Sequence, residues 1–186
     1  TVGFSGGSGR VNLPFPGRHN VYNALAAVAA GTLFGIDVQS GLEALKNYVP
    51  AGMRQRINKK CGITFIEDCY NASPDSQAAA LAVLGGMNAE RRIAVIGDML
   101  ELGEMSSQLH AMVADYVETN AQVCFLYGQE MSACAEALSQ RGFEVHHSAD
   151  KSKLSAQIKE YLREGDVVLF KGSRGMRMEE IAEAVK

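Results

Sequence analysis

The chain of 186 residues carries 18 Lys and Arg against 21 Asp and Glu, and 47% of it is apolar, for a formal net charge of -3. That suffices for a buried core in one sizeable domain or one and a half small ones, and it offers no positive field to nucleic acid or a membrane surface. No apolar run approaches the roughly 18 residues of a membrane span, and the start lacks the basic-then-apolar pattern of a secretory signal.

Thr1 to Arg10 are rich in Gly and Ser and read as a flexible segment. They are not a phosphate loop. The extended, proline-bounded stretch Val11-Asn12-Leu13-Pro14-Phe15-Pro16 follows where such a loop requires a helix N-terminus. A helix is predicted over Asn20–Phe34, where Val21, Leu25, Val28 and Leu33 space the apolar contacts and Gly35 can stop it, and a second over Gln39–Tyr48. Pro50-Ala51-Gly52 then marks a boundary. So little structure buries too small a core to stand alone. Residues 1–50 therefore read as the C-terminal tail of a larger domain, 51–58 as a linker and 59–186 as a second domain.

Past the linker, apolar β-branched runs predict strands at Ile63–Glu67, Arg92–Ile96, Val123–Tyr127, Phe143–His147 and Val167–Phe170. Between and after them, helices are predicted at Ser76–Met87, Ser106–Thr119, Glu130–Gln140, Ser152–Arg163 and Met178–Val185. Regular alternation with short connections implies an α/β fold, a doubly wound and mostly parallel sheet covered on both faces. Cys61, Cys69, Cys124 and Cys134 form no C-x-x-C pair and no metal-like spacing, which reads as free thiols in a reducing, cytoplasmic protein.

Several polar groups fall where such a sheet collects ligands, beyond the carboxyl ends of its strands. The turn Asp68-Cys69-Tyr70-Asn71-Ala72-Ser73-Pro74-Asp75-Ser76 lies between a strand and a helix, and its Asp, Asn and Ser could equally be helix caps. Asn20 and Asn23, three apart at a helix start, can turn two amides to one ligand, or be a cap and a solvated residue. Arg54 and Arg56 follow the boundary and could pair with phosphate, or simply be solvated. Asp98, Glu101 and Glu104 could bind a metal, although acidic loops beside a helix start more often act as caps. His110, one helical turn past Ser106, reads as a packed or capping histidine. Lys171-Gly172-Ser173-Arg174-Gly175 follows a buried strand, and its glycines could shape the backbone into a nest for a carboxylate or phosphate.

Four segments in this order resemble motifs of the Mur ligases: Pro16-Gly17-Arg18-His19-Asn20-Val21-Tyr22-Asn23-Ala24, the Asp68–Ser76 turn, Gly97-Asp98-Met99-Leu100-Glu101-Leu102-Gly103-Glu104, and Lys171-Gly172-Ser173-Arg174-Gly175-Met176. The second and fourth are most similar to the branch that adds D-alanyl-D-alanine. The resemblance implies a Rossmann-like C-terminal ligase domain preceded by the tail of a central ATPase domain. It implies ATP-dependent joining of D-alanyl-D-alanine to UDP-N-acetylmuramoyl-tripeptide through an acyl phosphate, in cytoplasmic peptidoglycan precursor synthesis. Asn20 and Asn23 would contact adenine, Arg54 the nucleotide and Asp68 its ribose. Tyr70, Asn71, Ser73, Lys171, Ser173 and Arg174 would meet substrate; no catalytic residue is assigned, and Cys69 is not proposed as one. The chain has no G-x-x-x-x-G-K-(S/T) loop, so it reads as a piece of a three-domain ligase, inactive alone, whose Mg2+ ligands lie in the missing part of the central domain. Another Mur ligase, a folylpolyglutamate synthetase, or a non-catalytic α/β binding module are the alternatives.

Overall fold

A computed structural model describes residues 2–4, 7–14, 16–49, 52 and 54–186. Pro50 and Ala51, two residues of the boundary read from the sequence, lie outside the described residues, as do Thr1, Ser5 and Gly6 of the Gly/Ser-rich start. The chain divides into two compact units, Thr1–Ala51 and Gly52–Lys186.

In the first unit, β1 (Val2–Phe4) pairs antiparallel with β2 (Gly7–Gly9). The segment that reads as flexible thus contains a strand pair. Backbone hydrogen bonds need no side chain, so composition gave no sign of it. Helix α1 (Arg18–Leu33) follows Gly17, whose φ of 110° only glycine adopts easily. Helix α2 (Val38–Lys46) is capped by Asp37, whose side chain accepts from Ser40 N at 3.0 Å. Among the described residues of this unit, Val28 and Leu42 are the buried apolar side chains.

The second unit opens with β3 (Arg56–Lys60), antiparallel to β4 (Ile63–Asp68). Cys61 and Gly62 join them with φ of 51° and 73°, the double left-handed turn that matches strand twist. This edge strand begins inside the segment read as linker. Its Arg, Asn and Lys side chains give no apolar alternation, which hid it in the sequence. There follow α3 (Pro74–Gly85), β5 (Arg91–Gly97), α4 (Ser106–Asn120), β6 (Val123–Tyr127), α5 (Ser132–Gln140), β7 (Val145–Ser148), α6 (Lys151–Tyr161), β8 (Asp166–Lys171) and α7 (Met178–Val185). The six-stranded sheet runs β3-β4-β8-β5-β6-β7, parallel except for β3.

Successive strand residues point to opposite faces. Ile66, Ile96, Leu126 and Leu169 meet Leu81 of α3, Val113 of α4 and Leu138 of α5 on one side. Phe65, Val95, Phe125 and Phe170 meet Ile158 of α6 and Ile181 of α7 on the other. The sheet is doubly wound, as alternation predicts. Among the described residues, no helix is long and apolar enough to cross a membrane.

Candidate functional site

Strand β8 lies between β4 and β5, so its carboxyl end is flanked by the turns that leave both neighbours. Here the sheet switches direction: the chain steps from β4 over β8 to β5, and returns to the gap only at the end. Register sets Lys171 opposite Asp68 on one side and Ile96 on the other.

Every residue of β8 is buried, and Lys171 is 2% exposed. A buried ammonium persists only where it is paired. Its Nζ donates to Asp68 Oδ2 at 2.8 Å and to the carbonyl of Asn71 at 3.0 Å. Ser173, 3% exposed, is likewise turned inward. Its Oγ accepts from Leu100 N at 2.9 Å and donates to Ala72 O at 3.4 Å, while its own N–H donates to Asp98 O at 3.0 Å. One serine therefore joins the turns after β4, β5 and β8.

These placements differ from an anion nest with Lys171 and Ser173 presented outward. Neither Gly172 nor Gly175 has the positive φ that would alternate the backbone for a nest. What they provide is close approach. A Cβ on Gly172 would lie 2.7 Å from Met178 Cγ and 3.2 Å from Gly97 Cα, and one on Gly175 would lie 2.8 Å from Leu100 Cδ1. The outward group of this turn is Arg174, whose side chain is 59% exposed and pairs with Glu179 at 2.8 Å.

On the rim, Tyr70 is 47% exposed and the Arg54 guanidinium lies 4.4 Å above its ring. The structure thus joins two residues that sequence had placed in separate roles. Asn71 is exposed, and its Oδ1 accepts from Ala72 N at 2.9 Å. Ser73 is the N-cap of α3: its Oγ accepts from Ser76 N at 3.4 Å and Ser76 Oγ accepts from Ser73 N at 2.9 Å, a reciprocal capping box. Cys69 is buried and donates to Phe170 O at 3.5 Å. Burial, with the nearby charges of Glu179, Glu67 and Asp68, pushes its thiol up to about 12. It is no nucleophile at neutral pH.

The acidic turn after β5 is not arranged as a metal site. Asp98 is buried and faces inward: Oδ1 accepts from Met131 N at 2.9 Å and Oδ2 from Glu130 N at 3.3 Å. Burial raises its carboxyl above the ordinary range, against the pull of those two donors and of His110. Glu101 and Glu104 are exposed, and among the described residues no three His, Cys, Asp or Glu gather to hold a metal. His110 is fully buried; its Nε2 accepts from Met99 N at 2.9 Å, and its Nδ1 lies 2.8 Å from Ser106 O. Sequence could place this histidine on a helix but not see that it grips the turn after β5.

Asn20 and Asn23 stand on consecutive turns of α1 in the first unit. The Asn20 amide donates to Pro16 O at 2.6 Å, and Asn23 is exposed. Arg56 lies on β3 opposite Glu67, its side chain exposed.

Residues 53–174 match the family described as Mur ligase, glutamate ligase domain. The chain is 37% identical over 177 residues to the UDP-N-acetylmuramoyl-tripeptide–D-alanyl-D-alanine ligase of Bacillus subtilis, covering 92% of this chain and 38% of that protein. It is 37% identical to the ligase of the same name from Haemophilus influenzae, covering 95% and 39%. A crystal structure of MurF from Acinetobacter baumannii superposes with a TM-score of 0.87 at 32% identity, covering 96% of this chain and 40% of that one. The chain thus spans about two fifths of the length of the relatives it matches.

Proposed function

This chain belongs to the Mur ligase family, and we propose that it works within a cytoplasmic ligase that uses ATP to join D-alanyl-D-alanine to UDP-N-acetylmuramoyl-tripeptide for peptidoglycan precursor synthesis. The observation that carries this reading is the 37% identity, over 92% of the chain, with a Bacillus subtilis ligase of that name. The turns at the carboxyl ends of β4 and β8 agree with it in chemistry, since they carry a carboxylate, an exposed aromatic ring that holds the Arg54 guanidinium, and the exposed Arg174.

In the proposed reaction, ATP phosphorylates the terminal carboxylate of the tripeptide. The amine of the dipeptide attacks the acyl phosphate carbonyl, and the tetrahedral intermediate expels phosphate to leave the new amide. Orientation and charge neutralisation serve such a sequence better than a covalent nucleophile. Asp68 keeps Oδ2 on Lys171 and offers its second oxygen, Oδ1, to the ribose hydroxyls. Tyr70 holds the Arg54 guanidinium for the nucleotide phosphates. Arg174, exposed on the turn after β8, faces a substrate carboxylate, and Tyr70 and Asn71, exposed on the turn after β4, meet substrate. Lys171 and Ser173 act from within by fixing these turns, and Ser73 by starting α3. The family also implies Mg2+, which the described residues do not fit.

Asp68→Asn tests the nucleotide half. It keeps an oxygen for Lys171 but removes the charge both from the ribose site and from the buried ammonium, so the variant's folding is checked by its melting curve. Charged hydrogen bonds exceed neutral ones by roughly 1 kcal/mol, so KM for ATP should rise about fivefold in the intact ligase. Unchanged ATP dependence in a folded variant would remove Asp68 from the nucleotide site. Failure of the wild-type ligase to use D-alanyl-D-alanine would overturn the functional reading itself.

A further inference from the structure

His110 is an imidazole buried away from every group assigned to substrate above, yet both of its nitrogens are engaged by backbone. Because Nε2 accepts from Met99 N, the proton is on Nδ1, which donates to Ser106 O. Packing alone would be served by an apolar side chain of similar size. A ring anchored to its own helix at Ser106 O, whose other nitrogen accepts from Met99 N, does something more specific, because that second bond ties the turn after β5 to α4.

Met99 N–H belongs to the turn after β5. The next amide, Leu100 N, donates to Ser173 Oγ at 2.9 Å, and that hydroxyl donates to Ala72 O at 3.4 Å. Ala72 adjoins Asn71, whose carbonyl receives Lys171, and Lys171 holds Asp68. A continuous chain of bonds therefore runs from α4 through three turns to the carboxylate proposed for ribose. Its base is fastened a second time, since Ser106 Oγ donates to Glu130 Oε2 at 2.6 Å and Glu130 N donates to Asp98 Oδ2.

We propose that His110 is a positioning residue for the ligase site, fixing the Met99–Leu100 turn and, through the Ser173 hydroxyl, the turn that carries Asp68, Tyr70 and Asn71. This rests on the ligase reading given above. It predicts that the ring's acceptor, rather than its volume, is what the site needs.

Two variants separate these. His110→Phe keeps the volume and removes the acceptor; His110→Gln restores an acceptor near the position of Nε2. In this chain, hydrogen exchange of the Met99 and Leu100 amides should quicken about three- to tenfold in the Phe variant, the value of one lost hydrogen bond, and return towards the wild-type rate in the Gln variant. In the intact ligase, kcat/KM should fall by a similar factor in the Phe variant and recover in the Gln variant, and Ser173→Ala, which cuts the chain of bonds at its middle, should reproduce the loss. A Phe variant with a lowered melting temperature but unchanged kcat and KM would make His110 structural only and overturn the proposal. So would a Gln variant that restores amide protection but not turnover. If the Phe variant does not fold, the Ser173→Ala and Gln variants decide the question by the same readouts. A wild-type protein that does not ligate would sink the ligase reading, while unchanged exchange at Met99 and Leu100 in the Phe variant would sink the positioning chain.

Discussion

Lys171 and Arg174 lie three residues apart and should respond oppositely to removal. Lys171→Met leaves the Asp68 carboxylate, 16% exposed, without its cation, and breaking a buried pair costs about 3–5 kcal/mol. The partial exposure of Asp68 puts the expected loss near the lower figure. Arg174→Ala removes a solvated ion pair with Glu179, worth at most about 1 kcal/mol, so its effect should fall on use of the tripeptide or D-alanyl-D-alanine and leave ATP affinity nearly intact. Calorimetry beside steady-state kinetics with each substrate varied would show this; equal melting temperatures for the two variants would refute the division between an inner and an outer cation. Sequence put both residues on the right turn. It could not orient them, because the partner of Lys171 lies 103 residues away on a neighbouring parallel strand. Side chains alternate along a strand, but which strand lies beside β8, and so which residue Lys171 meets, is decided by pairing between distant segments that no local pattern encodes.

Elements were more legible than orientations. The apolar runs that become β4, β5, β6 and β8 are buried on both faces, and such runs announce themselves in sequence. The exceptions have identifiable causes. A helix was expected from Glu130, but Asp98 takes the Glu130 and Met131 amides, and α5 begins at Ser132. Asp98 there takes amides that a helix start leaves without a partner, and Gln129–Ala133 form a tighter turn that leads into α5. Ser73, expected at substrate, is committed to the α3 cap, and removing such a cap costs about 1 kcal/mol. Ser73→Ala should therefore lower the melting temperature by a few degrees and leave KM for every substrate unaltered. A raised KM at wild-type stability would return Ser73 to the binding site.

At the scale of the whole chain, the two units differ sharply in what they bury. Among the described residues the first has Val28 and Leu42 as its apolar core, whereas the second packs a full layer on each face of its sheet. Burial of this kind is the main source of stability, so the units should not unfold together. Limited proteolysis should cut within residues 1–51 first and leave a resistant product close to Gly52–Lys186, identifiable by mass spectrometry. Cleavage that begins in the second unit would contradict this. The sheet order has a further effect, on timing. The central strand, β8, is the one a ribosome makes last, after β3 and β4 on one side and β5, β6 and β7 on the other. Until it emerges, the two groups of strands have no backbone ladder between them, and the growing chain holds a sheet in two halves with two open inner edges. Such edges are where strands of other chains can add. Emergence of β8 therefore closes the sheet and brings Lys171 and Ser173 to Asp68 and Leu100, so that sheet closure and assembly of the site are a single event.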